Sequence, residues 1–296
     1  MPSLPRNRWK SAVERFTLKC VKVRLYASPK EFDPVARWVY RRDPVQFTAE
    51  LTTLRTSPWP TGQVLLSTFD GDALGAAVQM RESVLLVNGL PPASAKEAAA
   101  TLAPVQPSLQ ATRGTACTAT AFSEAWVDAT GANVTTSFEE TLYRLGEFDP
   151  PRAVVGEPRL AAAADDELLA GWLDAFFVEA FGQPSNLSAS RDVLGAVVEA
   201  GGHIVLWSVN GSPVAMARVH RCLLGMSRIG PVYTPPEQRG QGFGAAVTAE
   251  AVRHARRNNA RDVVLFADVA NPAANRIYRR MGFVPVVEHV QYAFSA

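Results

Sequence analysis

The chain has 296 residues, about twice a usual domain of roughly 150, so two compact units are the first expectation. It is 47% hydrophobic and 20% charged with a net charge of +2, which excludes a low-complexity chain and a general polyanion binder. No run approaches about 18 uninterrupted apolar residues, no N-terminal stretch has signal-peptide form, and Cys20, Cys117 and Cys222 lack metal or redox spacing; a reducing cytoplasm suits the chain.

The first 42 residues hold eleven Lys or Arg against three Asp or Glu. Residues 1–18 read as a basic, solvated arm, with no aromatic interleaving beyond Trp9 and Phe16 to mark a nucleic-acid surface. Val21 to Tyr26 then reads as a strand and Pro34 to Leu54 as largely helical. Val64 to Thr68 and Leu74 to Met80 flank an Asp70-Gly71 turn, and Val84 to Val87 is a further strand. A helix over Ser94 to Leu102, the segment Thr115 to Thr120, a helix over Ser123 to Thr130 and a strand over Thr141 to Phe148 complete the first half.

Asp149-Pro150-Pro151 and Gly156-Glu157-Pro158 stop helix and inner strand alike, which places a linker near Phe148 to Pro158. A helix follows from Asp165 or Asp166 to Gly182, its apolar residues Leu168, Leu169, Trp172, Leu173, Phe176, Phe177 and Phe181 recurring at helical spacing. A second helix spans Ser190 to Ala200. His203 to Val209, Asn210-Gly211 and Pro213 to His220 read as a hairpin, followed by a strand over Met226 to Tyr233. Gly240 to Asn258 is a long helix, Val263 to Ala267 a strand, Pro272 to Met281 a helix and Val284 to Phe294 one or two closing strands. This order makes an α/β fold with a mixed sheet and a parallel crossover from Met226 to Ala267, of which the first half shows a fainter copy.

Chemistry concentrates at Val232 to Ala246, where a strand ends, a proline turn follows and Gly240, Gly242 and Gly244 precede a helix. Glycines allow close backbone approach, and the free N–H groups and dipole of a helix start attract phosphate oxygens. Some thirty residues on, Ala267 to Phe283 places a second helix after a strand, with Asn271, Asn275, Tyr278, Gly282 and Phe283.

These two stretches together are similar to the GCN5-related N-acetyltransferase (GNAT) family, over about Ala164 to Phe294. The resemblance implies that an Arg-x-x-Gly-x-Gly segment, Arg239, Gly242 and Gly244 here, wraps the pyrophosphate of acetyl-CoA. The donor site then comprises Gln238, Arg239, Gly240, Gln241, Gly242, Phe243, Gly244 and Ala245, with Asn271, Asn275 and Tyr278. The resemblance further implies that the strand before this loop parts from its neighbour at a bulge and takes pantetheine along Val232, Tyr233 and Thr234.

A thioester expels a thiolate, and a phenol of pKa about 10 is protonated at neutral pH, so Tyr278 is the candidate acid. An acceptor ammonium of pKa about 10.4 must lose a proton, for which Asp268 leads Glu237, Glu179, His203 and His220. No two His sit at metal-ligand spacing, and no metal is implied.

The first-half counterpart of the glycine loop, Leu85 to Glu97, holds one glycine, and Ser94 with Glu97 reads as a capping box. Trp126 reads as the counterpart of Tyr278, and the indole N–H is too weak an acid to protonate a thiolate. The expectation is a degenerate GNAT-like domain over 19–149, a catalytic one over 150–296, and the acyl-CoA N-acyltransferase fold in both, as in tandem GNAT proteins. The predicted function is acetyl transfer from acetyl-CoA to a primary amine of a small molecule or protein, by direct attack in a ternary complex. A non-catalytic acyl-CoA sensor and a tRNA-dependent aminoacyl transferase are the weighed alternatives. Acceptor specificity is placed in Gln183 to Ser190 and the seam between the halves; no membrane or nucleic acid is expected, and a homodimer is allowed.

Overall fold

The computed structural model describes residues 21–55, 63–71, 73–79 and 84–295. The basic arm 1–18, Cys20 and Met80 lie outside the described residues.

The first half opens with β1 (Lys22–Leu25) and α1 (Pro29–Tyr40), which starts five residues before the expected helix because Ser28 caps it. α2 (Thr48–Thr53), β2 (Leu65–Asp70), β3 (Ala73–Gln79), β4 (Val84–Leu86) and α3 (Ala95–Leu102) follow in the expected places. β5 (Ala111–Thr115) has no counterpart in the sequence reading, and α4 (Ala116–Thr130) absorbs the segment Thr115 to Thr120. β6 (Asn133–Leu145) is longer than the strand read from Thr141.

The second half comprises β7 (Glu157–Leu160), α5 (Asp166–Phe181), α6 (Leu187–Glu199), β8 (His203–Val209), β9 (Ser212–Val219), β10 (Met226–Tyr233), α7 (Phe243–Arg257), β11 (Asp262–Asp268), α8 (Pro272–Arg280) and β12 (Phe283–Ser295). The Asn210-Gly211 turn holds both residues at positive φ, as the hairpin requires. β10 and β11 pair in parallel across α7.

All twelve strands join one sheet in the order β1-β2-β3-β4-β5-β12-β6-β11-β10-β9-β8-β7. The halves exchange their last strands: β6 lies between β11 and β12, and β12 reaches over to β5. Tyr143 and Leu145 of β6 therefore complete the core under α7 and α8, while Val290 of β12 sits in the core under α3 and α4. One face of the sheet carries α3, α4, α7 and α8. The other carries α1, α2, α5 and α6, and there Val45 and Leu51 of the first half pack on Met226 and Val264 of the second.

Candidate active site at the parting of β10 and β11

The parallel register of β10 and β11 runs from Met226↔Asp262 to Ile229↔Leu265 and stops there. Beyond that point β11 keeps only β6, with which it is already paired from Val264, through Phe266↔Leu142, Ala267↔Thr141 and Asp268↔Glu140. β10 stays with β9, pairing Val232↔Ala217 and Tyr233↔Met216 after a register shift between Ile229 and Val232. The two strands thus open a wedge whose sides are Gly230 to Tyr233 and Phe266 to Asp268. A bulge is how a strand bends away from its partner, and it leaves backbone groups unpaired along the opening.

At the wide end of the wedge the chain leaves β10 through Thr234 and Pro235, makes a tight turn at Pro236–Gln238, and reaches Gly240 and Gly242, both at positive φ. Gly242 caps α7 without a side chain, which moves the helix start from the expected Gly240 to Phe243 and leaves its first N–H groups uncapped by any side chain. A Cβ on Gly244 would stand 3.3 Å from Thr234 Oγ1, so the helix start lies hard against the end of β10. Phe243 is buried in the core and anchors the turn, while Gln241 is exposed and Gln238 and Ala245 are half-buried.

Arg239 is exposed and turned back: its Nη2 meets Glu179 Oε2 at 2.5 Å and its Nε donates to Thr234 O at 2.9 Å. Glu179 of α5 also accepts from the Tyr233 hydroxyl at 2.8 Å. Burial, and then Glu179, push the Tyr233 phenol up to about 12, so it remains a donor.

Tyr278 lies on the buried side of α8, edge-on to Phe283 at 6.0 Å, and burial pushes its phenol up to about 12. It is protonated at neutral pH. Asn271 caps α8 by accepting from Ala274 N–H. Asn275 is fully used: it donates to Asp268 O and Asn271 O and accepts from the Tyr143 hydroxyl of β6. Its amide thus locks α8, and with it Tyr278, to the tip of β11 and to the exchanged strand.

Asp268 ends β11 three residues past the last pair with β10, and its Oδ1 accepts from Ala270 N–H at 2.7 Å. His220 Nε2 is 3.2 Å from Gly230 O; a carbonyl only accepts, so that nitrogen carries the hydrogen. Burial, then Arg218 and Arg228, hold the His220 imidazole well below its usual value and hence neutral. His203 is instead two strands from the wedge, stacked near His254 of α7, and Glu237 is exposed in the turn. Among the described residues no group of three or more His, Cys, Asp or Glu is placed to hold a metal, and no helix is long and apolar enough to cross a membrane.

The first half lacks both features. β4 and β5 pair as far as Leu86↔Arg113, Val87 N–H continues to Arg113 O, and a Cβ on Gly114 would lie 3.2 Å from Asn88 N, so these strands stay closed. The expected Ser94–Glu97 capping box is absent: Ser94 Oγ donates to Pro91 O at 2.8 Å and takes a bond from Thr68. A turn at Pro92–Ser94 runs straight into α3, and its own carbonyls receive the N–H groups of Ser94 and Ala95. Trp126 is buried between Phe122 and Phe294.

A mixed sheet opened by a bulge beside a glycine-started helix, with helices on both faces, is the acyl-CoA N-acyltransferase fold. Residues 167–283 match the family described as Acetyltransferase (GNAT) family. That match covers the part of the chain that holds the wedge and the start of α7. Over 68 residues it is 37% identical to a mycothiol acetyltransferase of Saccharomonospora viridis; the match spans 22% of each protein, about a fifth of that relative's length. A GCN5-related N-acetyltransferase from Kribbella flavida superposes with a TM-score of 0.57 at 18% identity, over 87% of this chain and 96% of that one. A tandem GNAT protein from the clavulanic acid biosynthesis pathway gives 0.57 at 14%, over 93% and 98%. At these identities the likeness is one of fold.

Proposed function

We propose that the second half binds acetyl-CoA at the wedge and transfers its acetyl group to a primary amine. The observation that carries this reading is the parting of β10 and β11 beside the uncapped start of α7. The residues present fit the donor: free N–H groups at a helix start suit a pyrophosphate, and unpaired strand edges suit the amide-bearing pantetheine. In this reading Val232, Tyr233 and Thr234 line the pantetheine, and Gln238 to Ala245 wrap the phosphates. Arg239 must exchange Glu179 for a phosphate oxygen as the donor binds, while Asn271 and Asn275 act by fixing α8.

The amine nitrogen attacks the thioester carbonyl, an oxyanion develops against N–H groups of the opened strand, and the carbon–sulfur bond breaks. Tyr278 gives its proton to the departing sulfur, and the free oxygen of Asp268 takes the proton of the amine, directly or through water. The partial matches to curated relatives carry no acceptor identity to this chain. In the same reading the first half, over 19–149, is a degenerate GNAT-like domain that walls the acceptor cleft.

Thiol release from acetyl-CoA with a panel of amines tests the reading, together with Asp268→Asn. Acetyl-CoA-dependent release that requires an amine, with the Asp268→Asn rate lowered and its pH profile flattened, is the expected result. Failure to bind acetyl-CoA contradicts the proposal, and an unaltered Asp268→Asn profile removes Asp268 from it.

A further inference from the structure

On the α1, α2, α5 and α6 face, the seam between the halves holds a group of charges that no step above uses. Arg113 of β5 is ion-paired with Glu140 of β6, and its guanidinium lies between the rings of Phe138 and Phe266, 5.2 and 5.0 Å from their centroids. Arg228 of β10 also stands over Phe266, at 5.9 Å, and donates to Thr52 of α2 at 2.7 Å. Arg218 of β9 neighbours Arg228 and forms no ion pair among the described residues. Glu50 of α2 is 1% exposed and is the second buried carboxylate.

Three guanidinium groups therefore face two buried carboxylates. The neighbouring carboxylates are engaged elsewhere, Glu179 by Arg239 and one oxygen of Asp268 by Ala270. Burial pushes Glu50 up to about 7 in spite of Arg113 and Arg228, which weakens even the compensation it offers. His220 and His289 are held neutral, so they add no charge but no relief either. Arg113 Nε, Arg218 Nε, Arg228 Nε and His289 Nε2 are all buried without a partner. Guanidinium nitrogens buried without an acceptor are costly, and an anion reaching them would complete the set.

The position ties this group to the chemistry. Arg228 precedes Gly230, the first residue of the wedge, by two residues, about 7 Å along a strand. Arg218 and Arg228 are half-buried, so the group reaches solvent, and Phe138, which Arg113 covers, meets Phe181 of α5 at 5.4 Å.

Resting on the acetyl-transfer reading above, we propose that Arg113, Arg218 and Arg228 form the acceptor pocket and that the acceptor is an amine bearing a carboxylate a few bonds from its nitrogen. The carboxylate docks on the guanidinium groups and the amine reaches the wedge. Arg218 and Arg228 are the contacting residues; Arg113, held by Glu140 and two rings, fixes the floor.

The test uses the full chain and measures acetyl-CoA-dependent thiol release with α- and ω-amino acids, their methyl esters and amides, and short peptides. Acetyl-CoA affinity is measured alongside by calorimetry. The pocket predicts that kcat/KM for a free carboxylate exceeds that of its amide by roughly tenfold or more. Arg218→Gln and Arg228→Gln should abolish that preference through KM, Arg228→Lys should restore part of it, and acetyl-CoA affinity should stay at the wild-type value. Preference for peptides with an acidic side chain over free amino acids would assign the carboxylate to a protein acceptor and support the same pocket. Equal turnover of carboxylates and amides, or none with any carboxylate by a protein that binds acetyl-CoA, overturns the pocket and leaves the donor site standing. Absence of acetyl-CoA binding overturns both.

Discussion

The starts of α7 and α3 occupy the same place in their respective halves, each after a strand of a parallel pair, yet they present opposite surfaces. At α7 the chain arrives through two left-handed glycines, no side chain caps the helix, and the strands below it have parted. At α3 the chain arrives through Pro91 and Pro92, a tight turn receives the first N–H groups, and the strands below are closed. In the proposed reading, one fold is kept while its anion site is withdrawn, the turn before α3 taking the N–H group of Ala95. What the first half retains is shape: its exchanged strand β6 supplies Tyr143 to hold Asn275, and α2 supplies Glu50 and Thr52 to the seam.

The sharpest way to break this comparison is to put the same charge at both helix starts. Gly244→Glu should cut acetyl-CoA affinity by about 100-fold or more, since its carboxylate would sit among the N–H groups that a pyrophosphate needs. Ala93→Glu, exposed beside α3, should leave affinity unchanged. Calorimetry on both folded variants decides, and equal affinities would undo the assignment.

Tyr278→Phe should lower kcat by about 10² to 10⁴ with KM for acetyl-CoA little changed, the range of general-acid assistance. Wild-type turnover at saturating amine would reduce Tyr278 to the packing role that Trp126 has in the other half.

An effect on stability rather than on binding or turnover belongs to the seam. Glu50 binds its proton more tightly folded, near pH 7, than unfolded, near 4.5, so the folded state holds the extra proton between those values and stability falls as pH rises through that window. Facing it are Arg113, Arg228 and Tyr40, the arginines opposing the shift and Tyr40 rising with it. Glu50→Gln should remove this slope, worth on the order of 3 kcal/mol at full shift. Thermal midpoints of wild type and variant from pH 5 to 8 should diverge toward the alkaline end, and parallel curves would contradict it.

Much of the second half was legible because its signals are local. Met226 to Tyr233 matches β10 to the residue, and the hairpin follows from Asn210-Gly211. The sequence missed β7, whose Pro158 reads as linker, and β5, whose Ala-Thr-Arg-Gly-Thr has no periodicity; both are strands because a neighbour pairs them. The exchange of β6 and β12 joins residues some 150 apart and leaves no local trace. The proposed donor loop was marked by its glycines but assigned only through the resemblance, and the opening of the wedge, also expected from resemblance, needed the registers to be seen. The charges at the seam were not read from the sequence: Arg228 sits singly within a strand and meets Thr52 of the other half only in the fold.

The central claim is that only the opened half binds the donor, and calorimetric titration of the whole protein with acetyl-CoA tests it most directly. The account predicts one acetyl-CoA per chain, abolished by Gly244→Glu. Two equivalent sites per chain, or one site that survives Gly244→Glu, would contradict it.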